Sequence, residues 1–385
     1  MDQKKTPAIV VVTYNRPKSL LRLLNSINSA YYDHDVNLII SIDKAENYND
    51  VLSVAEGFIW SHGRKTIRSF PERQGLRRHV IQCGDLSEQY GSVIILEDDL
   101  IVSPGYYSYV KEALNYYENS DEITGIALYS HEWNGYGNRF FSPVVDEYDS
   151  YLGQFSITWG QCWTKKWWQS FKQWYITQPE ELKENPALPM HINRWSKQSW
   201  GRYFANYITQ TGKYYVIPRF SFSTNCSEVG QHVSFSDSDH QVRLVEGVRK
   251  HFSFAPCCLA VKYDIFFENM ELNKYLDKEI VEQGVDIDLS GYGRNNPQNR
   301  YILSSVSLPF RKIQSFGLML RPIEMNVRYN IPGNDIRLYD KTVPSKKEKY
   351  NMNRIRYEIR GMATKDILVY VIHLIWKKIR TKLSR

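Results

Sequence analysis

Ala8 to Tyr14 is an unbroken run of apolar and β-favouring residues, the pattern of a strand buried on both faces. Pro17 then opens a helical stretch in which Leu20, Leu21, Leu23, Leu24 and Ile27 form an apolar stripe. A second strand is expected over 36–42, a helix over 50–60, a short strand over 65–70, and a helix over 75–90. A fourth strand follows over 92–96 and a helix over 104–117. Strands alternating with helices through short connections predict an α/β fold, with a mostly parallel sheet flanked by helices. The stretch 123–232 mixes short strands with aromatic loops. After about Pro256 the chain changes character and reads as a C-terminal extension. A charged linker is expected over 341–349 and a separate amphipathic helix over 365–385.

The polar residues interrupt this pattern at regular places. The first strand ends in Thr13-Tyr14-Asn15-Arg16, the second in Ser41-Ile42-Asp43, and the fourth in Glu97-Asp98-Asp99. Open parallel sheets bind ligands beyond the carboxyl ends of their strands. Three adjacent carboxylates repel one another, and a buried unpaired one is costly. They suit a hard divalent cation, Mg²⁺ or Mn²⁺, with phosphate oxygens completing its shell; the duller reading is a solvated acidic turn after a strand, paired with arginines.

Composition narrows the classes. Of 385 residues, 42% are hydrophobic and 24% charged, as in soluble globular proteins. The net charge of +7 suits an anionic partner such as a nucleotide diphosphate or a lipid head group. The basic residues are dispersed and no readout motif appears, which argues against nucleic acid. Five cysteines without a CxxC pair fit reduced thiols in a cytoplasm. No stretch has the apolar length of a membrane-crossing helix.

Four segments, "VVTYNRPKSLLRLLNSI", "LIISIDK", "RQGLRRHVIQC" and "VIILEDDLIVSPGYYSYV", occur in an order that resembles GT-A-fold glycosyltransferases. The resemblance is strongest to family-2-like bacterial sugar transferases of surface-polysaccharide loci. It extends to N-acetylglucosaminyltransferases carrying a Glu-Asp-Asp motif. Downstream, "QFSITWGQCWTKKWW" and "QSWGRYFANYITQTGKYYVIPRFSFSTNCSEVGQH" are similar to the family's Trp-Gly segment and its Ser-Trp helix, strand and final His.

The resemblance implies a division into a nucleotide-sugar half (1–105), an acceptor half (106–255), an extension (256–345), and a linker with basic helix (346–385). It implies that Thr13, Tyr14, Arg16, Asp43, Gly75, Arg77, Glu97 and Asp98 line the nucleotide-sugar pocket. Asp99 would be the direct metal ligand, with His232 beside the metal or diphosphate. The duller reading of Asp43 is a turn cap. The implied reaction transfers a sugar from a UDP-sugar to a glycan of capsule, lipopolysaccharide or O-antigen, with Mn²⁺ or Mg²⁺ as cofactor.

Two features depart from this expectation or add to it. Related sequences carry an acid beside the Ser-Trp pair, whereas Gln198-Ser199-Trp200-Gly201-Arg202 has none. Glu228, and after it Asp237 and Asp239, are the replacement candidates for the catalytic base. Ile367 to Trp376, followed by "KKIRTKLSR", suits an interfacial helix on an anionic membrane, placing the protein on the inner face of the cell membrane. Two rival readings stand: a non-catalytic glycan- or membrane-binding protein on a decayed transferase fold, and a sugar nucleotidyltransferase.

Overall fold

The computed structural model describes residues 6–226, 240–348, 352–359 and 361–383. The chain divides into two compact units, Met1–Lys274 and Tyr275–Arg385.

The first unit begins with β1 (Ala8–Thr13), α1 (Pro17–Asn28), β2 (Leu38–Ile42), α2 (Tyr48–Gly57), β3 (Lys65–Ser69), α3 (Leu76–Gly84), α4 (Ser87–Tyr90) and β4 (Ser92–Glu97). It continues with β5 (Leu100–Val102), α5 (Tyr106–Tyr117), β6 (Ile123–Ala127), the small hairpin β7 (Trp133–Asn134) and β8 (Arg139–Phe140), β9 (Ser150–Gly153) and β10 (Gln161–Thr164). The remaining elements are α6 (Lys165–Tyr175), α7 (Met190–Asn193), α8 (Trp200–Thr211), β11 (Tyr214–Pro218), β12 (Ser223–Asn225) and β13 (Lys262–Tyr263).

Nine strands form one sheet in the order β13-β9-β11-β6-β10-β4-β1-β2-β3. The stretch β4-β1-β2-β3 is parallel throughout. Strand β10 lies antiparallel between β4 and β6, so the sheet is mixed. Side chains alternate faces along each strand, and the sequence fills both. Ile9 and Val11 pack with Leu20, Leu24 and Ile27 of α1, and with Val110 and Leu114 of α5. Val10 and Val12 pack with Val80 of α3, Trp168 and Phe171 of α6, and Trp200 and Phe204 of α8. The fold class is therefore as expected, a largely parallel sheet between helical layers.

Two local expectations need correction. The helix expected over 75–90 breaks after Gly84 into α3 and α4. A Cβ on Gly84 would fall 2.2 Å from the Trp168 ring. Asp85, just beyond it, accepts from the Trp168 indole at 2.8 Å and from Lys172 Nζ at 2.7 Å. The break seats α6. Trp163, Trp167 and Trp168 are core residues, which accounts for much of the aromatic richness.

The second unit contains α9 (Lys278–Val281), β14 (Val285–Asp288), β15 (Tyr301–Ser304), β16 (Phe310–Phe316), α10 (Met325–Arg328), β17 (Ile336–Pro344), α11 (Met352–Ile359) and α12 (Thr364–Leu383). Its four-stranded sheet has the order β14-β15-β17-β16. The expected linker is strand as far as Pro344. Buried Asp340 is held there by Arg300 at 2.8 Å and Arg311 at 3.3 Å, and Lys341 reaches Asp286 at 2.9 Å. Charge in this segment marks ion pairs across a sheet. In α12 every residue from Leu368 to Trp376 is exposed, on all sides of the helix, and Ile367 is half-buried. No helix among the described residues is long and apolar enough to cross a membrane.

Candidate active site

The parallel register brings the polar strand ends together. Thr13 pairs in register with Ile42, and Val12 with Glu97. Asp98 N donates to Val12 O at 3.1 Å and Asp43 N to Thr13 O at 3.0 Å, so β1 fixes both acids at the sheet's carboxyl edge.

The positive charge demanded by the acidic triplet comes from the chain itself. Arg16, the residue capping α1, directs its guanidinium at both Asp98 and Asp99. The contact to Asp99 Oδ2 measures 3.2 Å from Nη2 and 3.3 Å from Nη1. Thr13 Oγ1 donates to the other Asp98 oxygen at 2.7 Å. Burial pushes the Asp98 carboxyl up to about 6, against the opposing pull of Arg16. Burial, reinforced by Asp99 and Asp98, pushes Glu97 up to about 8, while Arg16 and a hydrogen bond from Trp200 oppose the rise. Burial lowers the Arg16 pKa, but Asp98 and Asp99 outweigh it and hold the guanidinium above its ordinary value.

Asp99 differs from its neighbours. Its Oδ2 faces Arg16, whereas its Oδ1 is buried with no hydrogen-bond partner among the described residues. Mg²⁺ and Mn²⁺ sites commonly use one or two carboxylates and leave the rest of the shell to phosphate and water. One orphaned carboxylate oxygen at a sheet mouth fits that use. Among the described residues no group of three or more acidic, His or Cys side chains is placed to hold a metal by itself. Beyond Asp99, β5 pairs antiparallel with β12, and Cys226 N donates to Asp99 O at 2.8 Å. The chain then enters 227–239. Glu228, His232, Asp237 and Asp239 lie there, outside the described residues.

Asp43 is buried and organises the turn before α3. Its Oδ1 accepts from Lys44 N at 2.8 Å and Gln74 N at 2.7 Å, and its Oδ2 from Gly75 N at 2.9 Å. Gly75 has φ +74 and ψ 156, a conformation that is essentially restricted to glycine. Asp43 thus acts as a turn cap, and the turn it holds lies at the sheet's carboxyl edge. Tyr14 lies under the Arg73 guanidinium, 5.0 Å from ring centroid to carbon. Arg77 points elsewhere. Its Nη1 donates to Glu180 O at 2.8 Å, Lys197 O at 3.0 Å and Tyr203 Oη at 2.8 Å, tying α3 to the segments around α8.

Two features escaped the sequence. The acid in contact with Trp200 is Glu97, 103 positions earlier, and no spacing rule announces that pair. His79 is buried beneath the Asp43 turn, with Nε2 2.8 Å from Ser41 Oγ. Burial lowers its pKa to about 4, with Arg68 adding to the fall and Asp43 opposing it.

A mixed α/β sheet with an acidic turn and a glycine turn at its carboxyl edge defines a class, and the family comparison agrees. Residues 8–171, under half of the chain, match the model described as Glycosyl transferase family 2. Residues 8–171 of the first unit are thus similar to family-2 glycosyl transferases. Among solved structures, S. aureus TarS 1-349 aligns at 12% identity over 57% of this chain and 59% of that one, with a TM-score of 0.37. Its complex with UDP-GlcNAc gives 12% identity, 59% and 60% coverage and a TM-score of 0.38. The mannosyltransferase PcManGT from Pyrobaculum calidifontis, in complex with GDP-Man and Mn²⁺, aligns at 10% identity over 44% and 47%, with a TM-score of 0.29. The chain thus spans about three fifths of the S. aureus structure, and no residue role is carried across from it. A search of curated proteins returned no match.

Proposed function

We propose that the protein transfers a sugar from a nucleotide-sugar, a UDP-sugar, to a glycan acceptor with divalent-metal assistance and inversion at the anomeric carbon. The observation that carries this reading is Asp99, with one oxygen on Arg16 and the other buried and unpartnered at the sheet mouth. Asp99, with His232, would hold Mn²⁺ or Mg²⁺, which supplies positive charge to a departing diphosphate. Arg16 neutralises Asp98 and Asp99 before the donor arrives. Thr13 and Asp98 hold the end of β1, and Asp43 with Gly75 keeps the turn in the shape past which a diphosphate would run. Thr13, Tyr14, Arg16, Asp43, Gly75, Glu97 and Asp98 are the proposed donor-side residues. Arg77 is retained as a donor-side candidate that acts through the chain segments it ties together.

In the transfer, an acceptor hydroxyl oxygen forms the new bond to the anomeric carbon as the bond to the diphosphate oxygen breaks. The electron pair leaves on the nucleotide diphosphate. The hydroxyl proton passes to a carboxylate, Glu228 or else Asp237 or Asp239. The exposed apolar run of α12, followed in sequence by Lys377, Lys378, Arg380 and Lys382, supports a peripheral position on an anionic membrane. Lipid-linked precursors of capsule or lipopolysaccharide are the acceptors that such a position favours.

Calorimetry of UDP with and without Mn²⁺ tests the proposal. Mn²⁺ should tighten UDP binding to the native protein, and Asp99→Ala should abolish that gain while the fold is kept. Equal UDP affinity with a chelator present would remove the metal role.

A further inference from the structure

We propose that the second unit carries its own binding site for an acidic saccharide, one bearing a carboxylate or a phosphate. This inference rests on the glycan-transferase reading for its choice of ligand, but none of its residues belongs to the sheet mouth.

The site is a cleft of about 480 Å³ between the turns at 317–321 and 332–335 and helix α11. That volume lies within the range of small-ligand pockets. Its floor is rigid. Asn326 Oδ1 accepts from Met319 N at 2.7 Å and Leu320 N at 2.9 Å, and Gly317 N donates to Ile331 O at 2.8 Å. Tyr357 of α11 is anchored by its hydroxyl on Leu320 O at 2.7 Å. Arg321 lies over the Tyr357 ring, 4.0 Å from its centroid, so the guanidinium is held in place by stacking.

The cleft joins a concave surface to two arginines free of ion pairs among the described residues; Arg328, over the Tyr275 ring at 5.4 Å, does not line it. Elsewhere in the unit, Arg300 and Arg311 pair with Asp340, Arg337 with Glu348, and Arg354 with Glu358. The two arginines lining the cleft, Arg321 and Arg356, have no ion-pair partner among the described residues. One acid, Asp335, lines the same cleft, and it accepts from Asn353 Nδ2 at 3.0 Å. Two guanidiniums against one engaged carboxylate leave the cleft positive. A planar guanidinium fork matches carboxylate and phosphate oxygens, and its stacking on tyrosine limits the freedom lost on binding. A module that holds an acidic glycan in the same chain as a transferase unit would raise the local concentration of acceptor chains.

The test uses the full chain and four probes: a glucuronate oligosaccharide, glucose 1-phosphate, a neutral maltotetraose, and phosphatidylglycerol vesicles. Binding is read by calorimetry for the sugars and by sedimentation for the vesicles. At least one acidic sugar should bind saturably and weaken with salt, and the one that binds identifies carboxylate or phosphate. Maltotetraose should not bind. Arg356→Gln, on the exposed face, should weaken the acidic sugar roughly tenfold or more, as should Arg321→Gln. Circular dichroism verifies that both variants fold, and UDP affinity should stay at the native value in each. Native UDP affinity with no acidic-sugar binding overturns this site and leaves the transferase reading standing. Lost UDP binding in the unsubstituted protein overturns the transferase reading instead. Binding of the neutral sugar as tightly as the acidic ones overturns the site, as do unchanged affinities in both variants. An Arg356 effect confined to vesicles does so too.

Discussion

Removing Arg16 isolates the electrostatics of the candidate site. Its side chain is 25% exposed, while those of Asp98 and Asp99 are 4% and 18% exposed. Arg16→Met keeps the stem length and deletes the charge, leaving Glu97, Asp98 and Asp99 adjacent without their neutraliser. Breaking a buried pair costs about 3–5 kcal/mol. Partial exposure of Arg16 screens the interaction, so the lower end, about 3 kcal/mol, is expected. Nine of the ten tryptophans precede residue 201, so tryptophan fluorescence in urea reports on the first unit. With an m-value of about 1–3 kcal/mol/M, the midpoint should fall by roughly 1–3 M. Mn²⁺ should restore more stability to the variant than it adds to the native protein, because both aspartates are released to it. At a hundredfold excess over its dissociation constant the gain is about 2.7 kcal/mol. Arg16→Lys should lie between the two. An unchanged midpoint for Arg16→Met, or a Mn²⁺ effect no larger than in the native protein, would refute this reasoning.

Three further outcomes are expected. Gly75→Ala should cost about 1–3 kcal/mol from backbone strain alone, since the space beside it is open; urea titration that finds no loss would remove the strain. Between pH 4 and 6.5 the unfolded chain protonates His79 and the native protein does not, so stability should rise with pH there. The size of that rise is about 3 kcal/mol, and a native-minus-His79→Gln difference that stays flat across the window would contradict the burial argument. Truncation after Lys349 should abolish salt-sensitive sedimentation with anionic vesicles while UDP binding persists; loss of UDP binding would make the tail part of the fold.

The parallel core was legible because each strand is a short apolar run closed by polar residues. The expected strand over 65–70 matches β3, and the run from Ala8 matches β1 to within one residue. The gathering of Thr13, Asp43 and Asp98 followed from strand adjacency alone. Contacts set by tertiary packing were not legible. Arg16 meets Asp98 across 82 positions and Trp200 meets Glu97 across 103, and neither pair leaves a periodic trace. Lys341 to Pro344 misled for a related reason. A charged segment reads as solvated linker unless the partners that bury it, here Asp286 and the arginines on Asp340, are already known. The break after Gly84 was hidden because its cause, the Trp168 ring, lies on another helix.

The placement of β10 bears on how the chain is made. This strand separates β4 from β6, although both are synthesised before it. From Glu97 to Gln161 a ribosome working at about 5–20 residues per second needs roughly 3–13 s. From Ala127 onward in that interval the emerging chain has two apolar strands, Ser92–Glu97 and Ile123–Ala127, each lacking the neighbour it will have in the finished sheet. Unpaired edges of this kind recruit other chains. The interval between those strands and Gln161–Thr164 is therefore one in which the nascent protein depends on holding chaperones, and a chain ending within it should aggregate more than one ending after Thr164, where β6 has gained β10 but still lacks β11.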